Sequence, residues 1–243
     1  MLKAEFGVAI ALLTRVPAGW LSGPSPIDPA RATWAFPLVG AGIGAAAGLV
    51  VAAGTALGMP APLAAAWALA AAALLSGALH EDGLADVADG FGGGATRERK
   101  LEIMRDSRIG SYGALALVLA TAIRVFAIAA LAQPITALTA AWALSRGSLA
   151  IPLLLPAARA GGLGALVLGA GWRRWACLAL ALAIAALALP PKAALATAAA
   201  ALAAALLTSA LARAQIGGFT GDVLGACAVA VECAGLTAVA CCR

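Results

Sequence analysis

The feature that most constrains this chain is a series of apolar runs, each long enough to cross a bilayer. A hydrocarbon core about 30 Å thick takes about twenty helical residues. Such runs occupy roughly residues 37–58, 62–79, 112–132, 135–155, 176–190, 192–211 and 223–242. Met59-Pro60-Ala61, Gln133-Pro134 and Pro190-Pro191 separate pairs of them, and proline ends one helix and opens the next. No strand-like alternation is sustained, which argues against a β-barrel. Of the 243 residues, 63% are hydrophobic and 11% charged, about half the charged share of a soluble domain. The expectation is an all-α, polytopic membrane bundle of about seven spans, forming a single membrane-embedded domain over residues 1–243.

The first twenty residues resemble a signal peptide in having Lys3 before an apolar stretch. Glu5 and Arg15 bracket a core that is too short, however, and Pro17 breaks it. An uncleaved amphipathic or re-entrant helix is expected instead. The five cysteines form no C-x-x-C, and the single His80 is far from them in sequence. They read as small apolar residues in helices and not as a zinc site.

Threading the spans sorts the charge. Twelve of the sixteen lysines and arginines fall on one side, in the segments before residue 37 and at 80–111, 156–175 and 212–222. Lys192 and Arg243 fall on the other side, and Arg124 and Arg146 lie within spans. The positive-inside rule puts the crowded side in the cytoplasm of a cytoplasmic (inner) membrane. The net charge of +5 therefore reads as orientation. There is no basic tract with interleaved aromatics of the kind that binds nucleic acid. Nearly all acidic residues share the crowded side, although carboxylates do little to orient a membrane protein. An active site facing the cytoplasm explains that.

The informative stretch is the polar loop at about 80–111, which opens His80-Glu81-Asp82-Gly83-Leu84-Ala85-Asp86-Val87-Ala88-Asp89-Gly90. Spaced i, i+4 and i+7, Asp82, Asp86 and Asp89 share one stripe of a helix. Three carboxylates on one stripe repel one another unless a cation sits among them. Hard oxygen donors point to Mg²⁺ or Mn²⁺. Gly83 and Gly90 are expected to let a substrate approach the backbone, and Gly92-Gly93-Gly94 reads as a hinge. The segment after it reads as helical, with Arg105 and Arg108 on one face to clamp phosphate oxygens. A metal-binding stripe beside an arginine pair is the equipment of phosphoryl transfer. Within the spans, Arg124, Arg146 and Glu232 lie at similar depths, so they are expected to meet near mid-membrane. They read equally as the floor of a substrate cavity and as an interhelical ion pair.

The run from His80 to Gly113, HEDGLADVADGFGGGATRERKLEIMRDSRIGSYG, resembles the signature of the cobalamin synthase (adenosylcobinamide-GDP ribazoletransferase) family. Three further segments resemble family elements in the same order. They are Leu13-Thr14-Arg15-Val16-Pro17; Ser145-Arg146 with Pro156-Ala157-Ala158-Arg159 and Gly162-Leu163-Gly164; and Gly217-Gly218-Phe219-Thr220-Gly221-Asp222-Val223-Leu224-Gly225-Ala226. Ala157 and Arg124 depart from the usual pattern. The resemblance implies transfer of adenosylcobinamide phosphate from adenosylcobinamide-GDP to the 5′-hydroxyl of α-ribazole or to its 5′-phosphate, releasing GMP, with Mg²⁺ as cofactor. Asp82, Asp86 and Asp89 are then the catalytic and metal-binding candidates, with Asp82 the first choice of base. Candidate substrate-binding residues are His80, Arg15, Arg97, Arg105, Asp106, Arg108, Arg146, Arg159, Thr220 and Asp222. The implied partners are the two small-molecule substrates and the lipid bilayer, with no nucleic acid; self-association stays open.

Two other readings share features of the chain. A CDP-alcohol phosphotransferase of phospholipid synthesis also needs Asp, Mg²⁺ and a membrane, and Asp82-Gly83-Leu84-Ala85 begins like its signature. Asp86 replaces the expected Arg, however, and the later acidic pair is absent. A transporter would use Arg124, Arg146 and Glu232 as pathway residues, but most of the charge lies in one-sided loops and not along the spans.

Overall fold

The computed structural model describes residues 1–21, 28–159, 161, 164, 167 and 169–242. Ten α-helices follow in order among them: α1 (Leu2–Leu13), α2 (Phe36–Ala56), α3 (Ala61–Ser76), α4 (Leu79–Gly93), α5 (Arg97–Ile103), α6 (Ser111–Ala129), α7 (Pro134–Gly147), α8 (Arg173–Ala188), α9 (Pro191–Ile216) and α10 (Gly221–Cys241). Short 3-10 turns precede α2 (Pro29–Ala35) and follow α7 (Ser148–Ala150 and Pro152–Leu154). Among the described residues the only β pairing is one isolated bridge. The chain is an all-α polytopic membrane protein.

All seven expected runs are helical, but they are not equivalent. Five stretches are long and apolar enough to span by themselves: Pro29–Ala56, Ser111–Ala129, Pro134–Leu154, Pro191–Ile216 and Gly221–Cys241. The expected count of about seven is therefore high by this measure. α3 and α8 have only 16 residues each, about 24 Å of helix. α3 qualifies only together with α4, which departs from it at 93°. α4 carries Glu81, Asp82, Asp86 and Asp89 and is a polar helix outside the spans. α1 has 12 residues, about 18 Å, which is too short to span. Its Glu5 is fully buried and accepts from Arg31 Nε at 3.1 Å, Trp34 Nε1 at 2.9 Å and Arg173 Nη2 at 3.3 Å. That carboxylate fixes α1 against the 3-10 turn before α2 and the start of α8.

Helix ends follow local chemistry. Pro134 and Pro191 open α7 and α9, where a missing N–H costs nothing. Gly217, with φ +75°, closes α9 in the left-handed conformation. Thr220 caps α10, its Oγ1 accepting from the Val223 N–H at 3.3 Å. α7 is the central helix, with residues Ala140–Gly147 all buried. It packs on a glycine stripe of α2: Gly40, Gly44 and Gly48 lie against the backbone at Trp142, Leu138 and Ile135, where any Cβ would collide. Small residues one turn apart let two membrane helices touch along their backbones. α6 and α9 instead expose leucines and other large apolar residues along their outer faces, among them Leu115, Val118, Phe126, Leu202 and Leu206, as lipid-facing helices do.

The charges within the spans meet, as their depths led us to expect. Arg124 on α6 donates to Glu232 on α10 at 2.8 Å and to Glu81 on α4 at 2.8 Å. Arg146 on α7 pairs with the other oxygen of Glu232 and donates to Ser145 Oγ at 2.8 Å. Its Nη2 lies 3.4 Å from His80 Nδ1, which can accept from the guanidinium only in the tautomer that carries its proton on Nε2. Two arginines and two glutamates thus balance in a buried cluster that joins α4, α6, α7 and α10. Arg124, Arg146 and Glu232 line neither of the two cavities described below, so of the two readings the ion-pair one fits. Removing one partner of a buried pair costs about 3–5 kcal/mol. Glu232→Gln is expected to lower the yield of monodisperse protein and the thermal midpoint, with substrate KM unchanged in what does fold. A raised KM at wild-type stability would contradict the structural role.

Candidate active site

The site is built around the bend between α3 and α4. Gly77 and Ala78 both take left-handed conformations, with φ +68° and +55°. For alanine that conformation costs about 1–2 kcal/mol, and such strain persists only where the surroundings hold it. The Arg15 side chain packs over Gly77, where a Cβ would overlap it, and the Arg15 N–H donates to Leu75 O at 2.8 Å. The threonine-arginine-valine-proline segment is thereby tied to the start of the acidic helix. On its other side α4 crosses α10 at Gly83 and Gly225; a Cβ on Gly83 would stand 2.7 Å from Asp222 O. Gly83 makes room for α10 and also lines the smaller cavity described below, whereas Gly90 makes room for Met104 and Lys100 and lines neither cavity. Gly92 and Gly94 likewise lie against Tyr112 and Lys100, at the point where the chain folds back into α5.

Two cavities flank α4. The larger, about 660 Å³, is polar and is bounded by Arg15, Glu81, Asp82, Asp86, Arg105, Asp106 and Arg108. The smaller, about 290 Å³, is lined by Leu12, Leu13, Phe36, Leu149 and Val167, with His80, Asp82, Arg159 and Asp222 also at its wall. Leu79 and Asp82 line both. Asp86 is half-buried. Burial first, and then the carboxylates of Asp82 and Asp222, push its pKa up to about 7, against a smaller opposing effect of Arg159. Mutual repulsion of this kind marks a place where a cation is favoured. Among the described residues no three His, Cys, Asp or Glu side chains converge as a ligand set. A hard divalent ion would therefore take one or two carboxylates here, Asp82 and Asp86, and complete its shell with substrate oxygens, as Mg²⁺ commonly does.

A second junction brings distant motifs to the same place. Ala158 N–H donates to Phe219 O at 2.8 Å and Phe219 N–H to Pro156 O at 2.9 Å, forming the bridge between Ala157 and Phe219. The contact uses backbone atoms only, so the unusual Ala157 side chain leaves it intact. This bridge delivers Arg159 to Asp222, where Nη2 donates to Oδ2 at 2.9 Å; Thr220 Oγ1 donates to the same oxygen at 3.1 Å. Gly162 and Leu163 lie outside the described residues.

Several expected site residues have other partners. Asp89, though on the stripe, turns to the start of α6: Oδ2 accepts from Gly110 N–H at 2.7 Å and Oδ1 from Gly113 N–H at 2.8 Å. It satisfies orphan amides at a helix N-terminus and lines neither cavity. Arg97 donates to Ile216 O at 2.9 Å and Ala158 O at 2.6 Å, bracing the bridge junction away from both cavities. Arg146 is in the buried ion cluster, with His80 between that cluster and the apolar cavity. α5 ends at Ile103, so Arg105 and Arg108 do not share a helix face; the loop after it brings both to the polar cavity instead. There Arg108 pairs with Asp106 at 2.6 Å, and its hydrogen bonds hold Asp106 down at about 2. Arg105 has no carboxylate partner among the described residues. Sequence reasoning does not single out Leu12, Phe36, Leu149 or Val167, because a leucine in a membrane sequence carries no mark of a cavity. Glu81 was within reach of it, being charged and next to Asp82.

The comparisons agree with this picture. A family model described as cobalamin-5-phosphate synthase matches residues 5–240. An adenosylcobinamide-GDP ribazoletransferase of Bradyrhizobium diazoefficiens is 47% identical over 229 residues, covering 92% of this chain and 88% of the relative. Proteins of the same name from Azorhizobium caulinodans and Brucella ovis are 44% and 40% identical, covering 92% and 90% of this chain and 90% and 89% of the relatives. No solved structure matches the chain. A family model spanning nearly the whole length and relatives this similar make the conclusion plain: this chain belongs to the cobalamin-5-phosphate synthase family.

Proposed function

We propose that this enzyme of cobalamin synthesis transfers adenosylcobinamide phosphate from adenosylcobinamide-GDP to α-ribazole or its 5′-phosphate and releases GMP, with Mg²⁺ held by Asp82 and Asp86. The observation that carries the reading is convergence. Segments near residues 15, 80–113, 159 and 217–226 meet at one end of the bundle around α4. The polar cavity joins basic side chains, Arg15, Arg105 and Arg108, to the carboxylates of Asp82 and Asp86. That combination suits a charged diphosphate. The transporter reading gains nothing: Arg124 and Arg146 are neutralised by Glu81 and Glu232 and line neither cavity. The polar end faces the cytoplasm of an inner membrane, on the strength of the arginine and lysine distribution.

In this reading Arg15 and Arg105 orient the diphosphate in the polar cavity, and Arg108 stays with Asp106 at its rim. When bound, Mg²⁺ supplies positive charge to the diphosphate and to the departing GMP. Asp82, reached from both cavities, accepts the proton of the attacking hydroxyl. The family description speaks of a 5-phosphate product, and a 5′ oxygen that already carries phosphate cannot attack. The nucleophile is therefore a ribose ring hydroxyl and not the 5′-hydroxyl expected from the sequence. Asp89 and Arg97 act through the backbone they hold, as positioning residues.

The deciding experiment is turnover by the purified, detergent-solubilised protein, supplied with adenosylcobinamide-GDP and α-ribazole 5′-phosphate, with and without Mg²⁺. Metal-dependent appearance of GMP and a cobalamin product is expected, and a folded preparation yielding neither product sinks the reading. Asp82→Asn is expected to abolish turnover, by at least about a hundredfold, the usual scale of a general base, at unchanged folded yield; full activity in that variant removes Asp82 from the chemistry. A cation requires ionised Asp86, whose pKa of about 7 lies above the ordinary carboxylate range. Mg²⁺ affinity in titration calorimetry is therefore expected to be full above pH 8 and to fall about tenfold by pH 6. Asp86→Asn should flatten this dependence, and a wild-type affinity that does not vary between pH 6 and 8 would show that Asp86 is not a ligand.

A further inference from the structure

The two cavities differ in chemistry and share one acidic wall. The polar one, about 660 Å³, is bounded by charged side chains. The other, about 290 Å³, has an interior of Leu12, Leu13, Phe36, Leu149 and Val167 and a polar rim of Asp82, Arg159 and Asp222. A volume near the small end of the range for ligand sites suits one nucleoside and excludes a corrinoid. Its apolar side comes from α1, the start of α2, the turn after α7 and Val167, none of which bears the acidic stripe, while α4 and α10 close it from the polar side. The Nη1 of Arg159 is buried with no hydrogen-bond partner among the described residues, a donor available to an anionic group at that rim.

We propose that the apolar cavity is the acceptor site: it takes the aromatic base of the ribazole nucleoside, with the ribose directed to Asp82 and the 5′-phosphate to Arg159. This rests on the transferase reading above and adds to it a division of labour, the diphosphate donor on one side of α4 and the acceptor on the other. An apolar pocket with a few polar groups at one end matches a flat, weakly polar base attached to a hydroxylated sugar. Asp82, lining both cavities, is where the two substrates meet. A ribose hydroxyl oxygen bonds to the phosphorus that bears the cobinamide. The bridging phosphorus–oxygen bond to GMP breaks, its electron pair leaves with GMP, and the hydroxyl proton passes to the Asp82 carboxylate. Approach from one cavity and departure into the other is the in-line arrangement that phosphoryl transfer needs.

The test uses the whole enzyme with Mg²⁺ and free benzimidazole as a probe of the base subsite. Benzimidazole is expected to inhibit competitively against α-ribazole 5′-phosphate and not against adenosylcobinamide-GDP. Leu12→Trp, at a half-buried position on α1, should fill the cavity and raise the acceptor KM at least about tenfold while the donor KM stays within about twofold. Leu12→Trp raising the donor KM alone, or leaving both unchanged, overturns the assignment, as does benzimidazole competing with the donor. If a lysophospholipid displaces the acceptor and benzimidazole does not, the cavity holds acyl chains and the inference falls. Should the variant fail to fold, the wild-type competition decides alone. Absence of wild-type turnover is a different failure: it removes the transferase reading, and this inference with it.

Discussion

Four charged side chains in the interior set the terms for the rest of the molecule. Arg124, Arg146, Glu81 and Glu232 come from α6, α7, α4 and α10 and neutralise one another, three of them fully buried and Glu81 at the edge of the polar cavity. None is tolerable alone in a membrane interior, so each helix that contributes one is held to the others. The arrangement fixes α4, a polar helix that hydropathy alone would not keep in an apolar bundle. Since Glu81 immediately precedes Asp82, the cluster also fixes where the acidic face of α4 begins.

The site is assembled by backbone contacts laid over that frame. The strained turn at Gly77 and Ala78 swings α4 away from α3, and Arg15 packs upon it. The bridge between Ala157 and Phe219 carries Arg159 to Asp222, and Arg97 braces the same junction through two carbonyls. Asp89 ties the far end of α4 to the start of α6. Of the charged residues in these motifs, some therefore line the two cavities and others hold those that do. The bracing sets Arg159 directly on Asp222, while Arg15 and Arg105 stand at the cavity wall without a carboxylate partner among the described residues. Asp106 and Arg108 show the alternative: free on a loop, they pair with each other.

A transferase that joins a corrinoid diphosphate to a nucleoside handles one highly charged substrate and one with a flat aromatic base. In the proposed reading, cavities of opposite character on the two faces of α4 take one each. Leu12, Leu13, Phe36, Leu149 and Val167 supply the apolar wall, and the polar end of the bundle supplies the charge.

The sequence by itself determined the class of fold, because twenty-residue apolar runs separated by prolines have no other stable arrangement in a bilayer. It also determined which segments matter, since carboxylates and arginines are too costly near lipid to be scattered there without use. It placed Asp82, Asp86 and Asp89 on one helical stripe, and the depths of Arg124, Arg146 and Glu232 foretold their meeting. Only the tertiary structure decided what each charge touches. Asp89 shares its stripe with Asp82 and Asp86, yet the start of α6 takes both its oxygens, because helical spacing sets direction and says nothing of what stands opposite. Gly90 meets Met104 and Lys100 for the same reason, and Gly83 meets α10. The apolar cavity was illegible beforehand: its leucines follow the pattern of any buried membrane helix, and a void arises only where several separate elements fail to fill the space between them.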